Sequence, residues 1–236
     1  LFRSGGYRNS KKSKVEDIKL PKEQKCDDLI EIIASLHNKT SYFKEVSEDK
    51  FKSIYEDIKS NISYLSNYYN TLYEIGFNEV YASPSNYIFM RNYFKINAAL
   101  EYANSELDNW YSLVTNETKI RVCLIHNNLE LNHLLNNKLI SWDNYMIDTP
   151  VIDIVKLYKN EWKNINFSEI LERYIYKFPL LDYEKKLLFI LISMPPQIKK
   201  SNNEFEKCKV ISEVMDYVFK TEELIRPYNT KQEEEK

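Results

Sequence analysis

Glycine is nearly missing from these 236 residues: Gly5, Gly6 and Gly76 are all there are, roughly 1% against an average near 7%. A dinucleotide fingerprint or a Walker loop needs glycine where backbone closes on phosphate, so neither can be built here. Charge of one sign is lacking too. The 33 basic and 35 acidic side chains leave a formal net charge of −2, which gives no global field to hold a polyanion, so no nucleic-acid partner is expected. Long apolar runs are absent as well. The longest, Leu187 to Met194, falls far short of the ~18 residues a bilayer span requires, and no charged-then-apolar signal peptide opens the chain. A soluble, cytoplasmic protein is the expectation. Cysteine is scarce and odd in number: Cys26, Cys123 and Cys208 lie far apart, two of them inside apolar stretches, which points to a reducing compartment.

What is present is ordinary globular material, 43% hydrophobic and 29% charged, enough for one large domain or two small ones with a sizeable core. The first 25 residues hold eight basic and three acidic side chains with little apolar periodicity. Residues 1–27 therefore read as a basic flexible segment or the remnant of a first lobe, 28–227 as one helical domain, and 228–236 as a polar tail.

Within that domain, Asp28 and Glu31 form a capping-box signature for a short helix ending near His37. Phe51, Tyr55, Ile58, Ile62, Leu65, Tyr69 and Leu72 alternate steps of four and three, which predicts one long helix capped by Ser47 and ended by Gly76. Ser83-Pro84 restarts a helix that runs on through Leu107 and Tyr111. Between Arg121 and Trp142 the texture changes to β, and three short strands are expected: one at Val122–Ile125, and a hairpin of Leu134-Leu135 with Leu139-Ile140 about Asn136-Asn137-Lys138. Helices then follow from Thr149-Pro150, from a Ser168 cap to Pro179, from Asp182 to Met194 before Pro195-Pro196, and from Phe205 to the polar tail at Lys231. The fold class is mainly α with a short β-hairpin region.

The stretch Cys123-Leu124-Ile125-His126-Asn127-Asn128-Leu129-Glu130-Leu131-Asn132-His133, followed by Leu139-Ile140-Ser141-Trp142-Asp143, resembles the catalytic loop of the aminoglycoside phosphotransferase and choline kinase superfamily, which has the protein-kinase fold. There the order is strand, His-x-Asp-x-x-x-x-Asn, hairpin, then Asp-Phe/Trp-Asp/Glu. Asp148-Thr149-Pro150-Val151-Ile152-Asp153-Ile154 is similar to the family's Asp-x-Pro-x-x-Asp-Leu segment. Within the superfamily, bacterial spore coat protein S and its relatives are most alike, over roughly residues 28–225: Leu29 to His37 resembles their leucine-alanine-x-leucine-histidine helix, and Phe77 to Trp110 their middle helix pair. The resemblance implies the C-terminal lobe of a kinase-like fold and a spore-coat or other assembly role.

It does not carry the chemistry. Phosphoryl transfer needs a carboxylate to accept the hydroxyl proton and oxygen ligands for Mg²⁺. Where the family has its aspartate base stands Asn128, an amide. Where it has a metal-binding asparagine stands His133, a poor ligand for a hard cation. Where it has its main metal aspartate stands Ser141. Two substitutes are conceivable: Asn132 through a one-residue loop shift, and Asp143, two along a strand from Ser141 and so on the same face. His126 is expected to orient the loop, Trp142 to pack in the core, and Asp148 and Asp153 to serve the start of the helix that Thr149 caps. His126 with His133 lacks the partners of a zinc site. Nineteen tyrosines read as core on helix stripes before a stacking surface. The expectation is thus a catalytically degenerate, pseudokinase-like domain without resident cofactor that binds a protein partner or a small molecule. The alternative is a small-molecule kinase, using ATP and Mg²⁺, whose ATP-binding lobe lies outside this chain.

Overall fold

The four-and-three stripe from Phe51 does form one long helix. In a computed structural model describing residues 22–234, α2 spans Glu48–Phe77 and packs against an equally long α3, Pro84–Val114, as an antiparallel hairpin. Phe51, Ile58, Ile62, Leu65 and Tyr69 are buried, and Tyr55 and Leu72 half-buried. Ser83 starts α3 as expected, its hydroxyl accepting from the Asn86 backbone N–H at 3.3 Å with Pro84 next in line. Ser47 precedes α2 without a side-chain capping bond.

The remaining elements assemble around this hairpin. Helix α1, Lys22–Thr40, comes first, followed by β1, Tyr42–Glu45. After α3 come β2, Lys119–Ile125, the β3–β4 hairpin, Leu134–Leu135 with Lys138–Leu139, and β5, Met146–Asp148. Four helices finish the chain: α4, Val151–Glu161; α5, Phe167–Lys177; α6, Asp182–Ser193; and α7, Glu204–Glu234. The chain is mainly helical. One hydrophobic core runs through it, with α6 and α7 against α3, α4 against α6, and α5 against α1. No helix of the described residues is long and apolar enough to cross a membrane.

Several boundaries differ from expectation. Three strands were expected and five occur among the described residues, because β1 and β5 pair antiparallel with the two edges of β2 in the order β1-β2-β5. Helix α1 begins at Lys22, upstream of the Asp28 signature, because Cys26 is buried with Leu29, Ile30 and Ile33 and needs a further turn to reach the core. Thr149 does not cap α4: Pro150 holds that position, and the Thr149 hydroxyl is buried without a hydrogen-bond partner among the described residues. Asn166 rather than Ser168 precedes α5, and α7 continues to Glu234 through the expected tail. Of the segment 1–27 expected to be flexible, residues 22–27 instead form the first turns of α1, and residues 1–21 lie outside the described residues.

Candidate functional site

Strand β2 delivers the chain to His126, and the loop that follows is fastened to α4 at both ends. Asp153, fully buried in the first turn of α4, accepts the backbone N–H of His126 through Oδ2 at 2.8 Å and that of Asn127 through Oδ1 at 2.7 Å. Seven and eight residues on, about 11–12 Å along the helix, Asn160 donates to the Leu129 carbonyl at 3.0 Å and buried Glu161 accepts the Leu131 N–H at 3.0 Å. A carboxylate that takes two consecutive N–H groups fixes the path of both peptides, which holds Asn127 at a φ of 59°, in the left-handed region that asparagine tolerates.

The same carboxylate reaches α1. His37, fully buried, places Nε2 3.2 Å from Asp153 Oδ2 and Nδ1 2.6 Å from the Tyr174 hydroxyl on α5. Carboxylate oxygens only accept, so Nε2 donates. Three segments of the resemblance, the α1 helix, the loop and the Asp-x-Pro-x-x-Asp stretch, therefore meet at one buried side chain.

Beyond Leu131 the chain makes a single 3₁₀ turn through Asn132 and His133, then the β3–β4 hairpin. Its turn is Asn136-Asn137, with φ 47° and 56°, two positive values in succession as a type I′ turn demands, so Lys138, expected in the turn, pairs with Leu135 in β4 instead. His126 is buried and donates Nε2–H to the Ile140 carbonyl at 2.7 Å, tying loop to hairpin as an orienting residue would. The Trp142 ring stands edge-on to it at 4.9 Å, and the indole N–H donates to Leu139 O at 2.8 Å; this side chain is half-buried, a cover on His126 rather than a member of the core.

The positions where the resemblance calls for chemistry come out as follows. Asn128 is half-buried with no side-chain hydrogen bond among the described residues. His133 has Nδ1 2.7 Å from the Asn128 carbonyl and Nε2 2.8 Å from Glu130 Oε1, so both ring nitrogens already face oxygens of the loop itself. Ser141 is half-buried with φ 64°. Asp143 does not lie two along a strand from it: Trp142–Asn144 is a 3₁₀ turn, so the alternation that would align the two side chains does not apply, and Asp143 is exposed. Asn132 is exposed in its own 3₁₀ turn. An amide, an engaged imidazole and a hydroxyl are not a donor set suited to Mg²⁺.

Cysteine chemistry is unavailable at the buried thiols. Burial, reinforced by Asp27, pushes the Cys26 thiol up to about 12, and burial with Asp153 raises Cys123 further; both stay protonated near neutral pH. A concave region of about 590 Å³ lies at the far end of α4, walled by Tyr64, Trp162, Met194 and Tyr217, large enough for a small ligand. Asn160 lines it and also holds Leu129, linking this hollow to the loop.

Sequence reasoning missed the fastening residues His37, Asp153, Asn160, Glu161 and Tyr174. One signal was in view: Asp153 interrupts Val151-Ile152 and Ile154-Val155, and an acid enclosed by β-branched residues is a buried carboxylate with partners or none at all. Comparison with family models, curated proteins and solved structures returns no match in any of the three.

Proposed function

We propose that this chain is a binding or assembly domain related to the C-terminal lobe of phosphotransferase-like kinases, with the loop architecture kept and the phosphoryl-transfer chemistry lost. The observation that supports it most is the state of His133. The position that should offer oxygen to a metal offers an imidazole whose two nitrogens are taken by Asn128 O and Glu130. Asn128 and Ser141 bring no carboxylate to the positions where the resemblance calls for one, and the neighbouring Glu130 carboxylate is engaged by His133, which argues against the family's base and metal chemistry. The backbone of the loop, by contrast, is anchored at His126, Asn127, Leu129 and Leu131. A partner would then read shape rather than undergo reaction. A place in a spore coat or a similar cytoplasmic assembly is the role the resemblance suggests.

The test is thermal melting of the purified chain with millimolar ATP, with and without Mg²⁺. No shift is expected; occupancy at ~100 times Kd would stabilise the fold by RT ln(1 + [L]/Kd) and raise Tm by a few degrees. A magnesium-dependent rise would favour the kinase whose ATP-binding lobe lies elsewhere.

A further inference from the structure

The α2–α3 hairpin carries an aromatic face that the described residues leave uncovered. On α3, Tyr87, Arg91 and Phe94 recur at four and three and share a stripe; on α2, Tyr73, Glu74 and Phe77 lie level with it. The rings are continuous across the two helices. Tyr73 stacks on Tyr93 at 4.2 Å and lies 6.3 Å from both Phe77 and Phe94. Outward exposure is high: Phe77 71%, Tyr87 62% and Phe94 70%, with Val80 at 88% and Tyr81 at 90% on the connecting turn. At 150–250 Å² for a large aromatic, these five side chains offer on the order of 700 Å², close to the ~800 Å² per partner of a standard stable interface. Folding contributes no reason to leave so much apolar surface in water.

Charge identifies the occupant. Glu74 and Arg91 are exposed, and neither has an ion-pair partner among the described residues. By helical position, Glu74 borders the face on its α2 side and Arg91 on its α3 side. A two-fold axis along the hairpin sets α2 of one copy over α3 of another. That operation lays the acidic border of each copy on the basic border of its mate, with Glu74 and Arg91 within a turn of the same level because the hairpin pairs Gly76 with Asn86 and Asn70 with Tyr93.

We propose that the chain self-associates through this face as a two-fold dimer of α2–α3 hairpins, the aromatic strip at its centre and reciprocal Glu74–Arg91 pairs at its borders. The inference does not rest on the kinase resemblance.

Sedimentation velocity of the full chain from 1 to 100 μM tests it, with circular dichroism and thermal melting as controls for folding. A concentration-dependent dimer is expected. Phe94→Ser with Tyr81→Ser should give monomer with an unchanged circular dichroism spectrum and the melting temperature of dilute wild type, since neither side chain is in the core. Glu74→Arg alone should weaken the dimer by about tenfold, and adding Arg91→Glu should restore it, which a non-specific hydrophobic contact would not do. A wild-type chain monomeric at 100 μM overturns the proposal, whether or not it binds vesicles or another protein. So does a dimer indifferent to both sets of substitutions.

Discussion

The buried knot at Asp153 and the outer face of the α2–α3 hairpin are built from similar residue types and do opposite things. Around Asp153, a histidine, two backbone amides and a tyrosine hydroxyl are closed on one another, with the side chains of His37, Asp153 and Tyr174 fully buried. On the hairpin, tyrosine, phenylalanine, glutamate and arginine stand in solvent, and the monomer gains little from them. Polar side chains that satisfy each other define the shape of this protein, and apolar ones left open define its surface for others. The contrast predicts where substitutions will be felt.

Asp153→Ala breaks the knot and has the largest effect. It strands the buried His126 amide and His37 ring and frees the half-buried Asn127 amide, so stability should fall by about 3–5 kcal/mol, read as a lower urea midpoint. A loss below ~1 kcal/mol would mean that water or a rearranged loop replaces the carboxylate, and the distinction between the two regions would collapse. An intermediate effect follows alkaline pH. Burial raises the Cys26 thiol and the Tyr158 phenol each to about 12, so the folded chain keeps protons that the unfolded chain releases. For groups raised in this way stability is full below the unfolded values near 9–10 and is lost as pH climbs towards 12, at ~1.4 kcal/mol per pH unit for each proton held. Urea midpoints measured from pH 7 to 11 should therefore decline above pH 9; a flat profile would show that these interior groups reach water. The smallest change sharpens the comparison from the other side. Asn128→Asp alters the resemblance's catalytic position without touching an anchoring bond, so stability should shift by no more than ~0.5 kcal/mol and ATP turnover should stay absent. Measurable phosphorylation of an aminoglycoside, choline-like or protein acceptor by this variant would show that one carboxylate was all the site lacked.

Legibility in the sequence followed the range of the forces involved. The stripe from Phe51 to Leu72 is a local pattern, and it located α2 almost to its ends. The Ser83-Pro84 start and the Asn136-Asn137 turn are equally local, set by capping and by tolerance of positive φ. Strand β1 was invisible: Tyr42 to Glu45 are all exposed and show no alternation, and only the backbone of β2, some eighty residues later, makes them a strand. The candidate site divided the same way. The residue types at 126, 128, 133 and 141 could be read directly, whereas the pairing of His37 with Asp153 joins positions 116 apart, and nothing periodic announces it. The strand alternation invoked for Asp143 failed because Ser141 turns left-handed and the next residues wind into 3₁₀.

The two-ended fastening of the loop to α4 also bears on how such a protein can change over generations. The shape of residues 126–131 is specified by Asp153, Asn160 and Glu161 on a neighbouring helix, through bonds to backbone that any side chain would present. Selection for a stable fold therefore acts on α4 and is nearly blind to the residue at 128. Drift at that position is silent to the scaffold, so a lineage can set aside a reaction there, or try another, without first having to survive as a poorly folded intermediate.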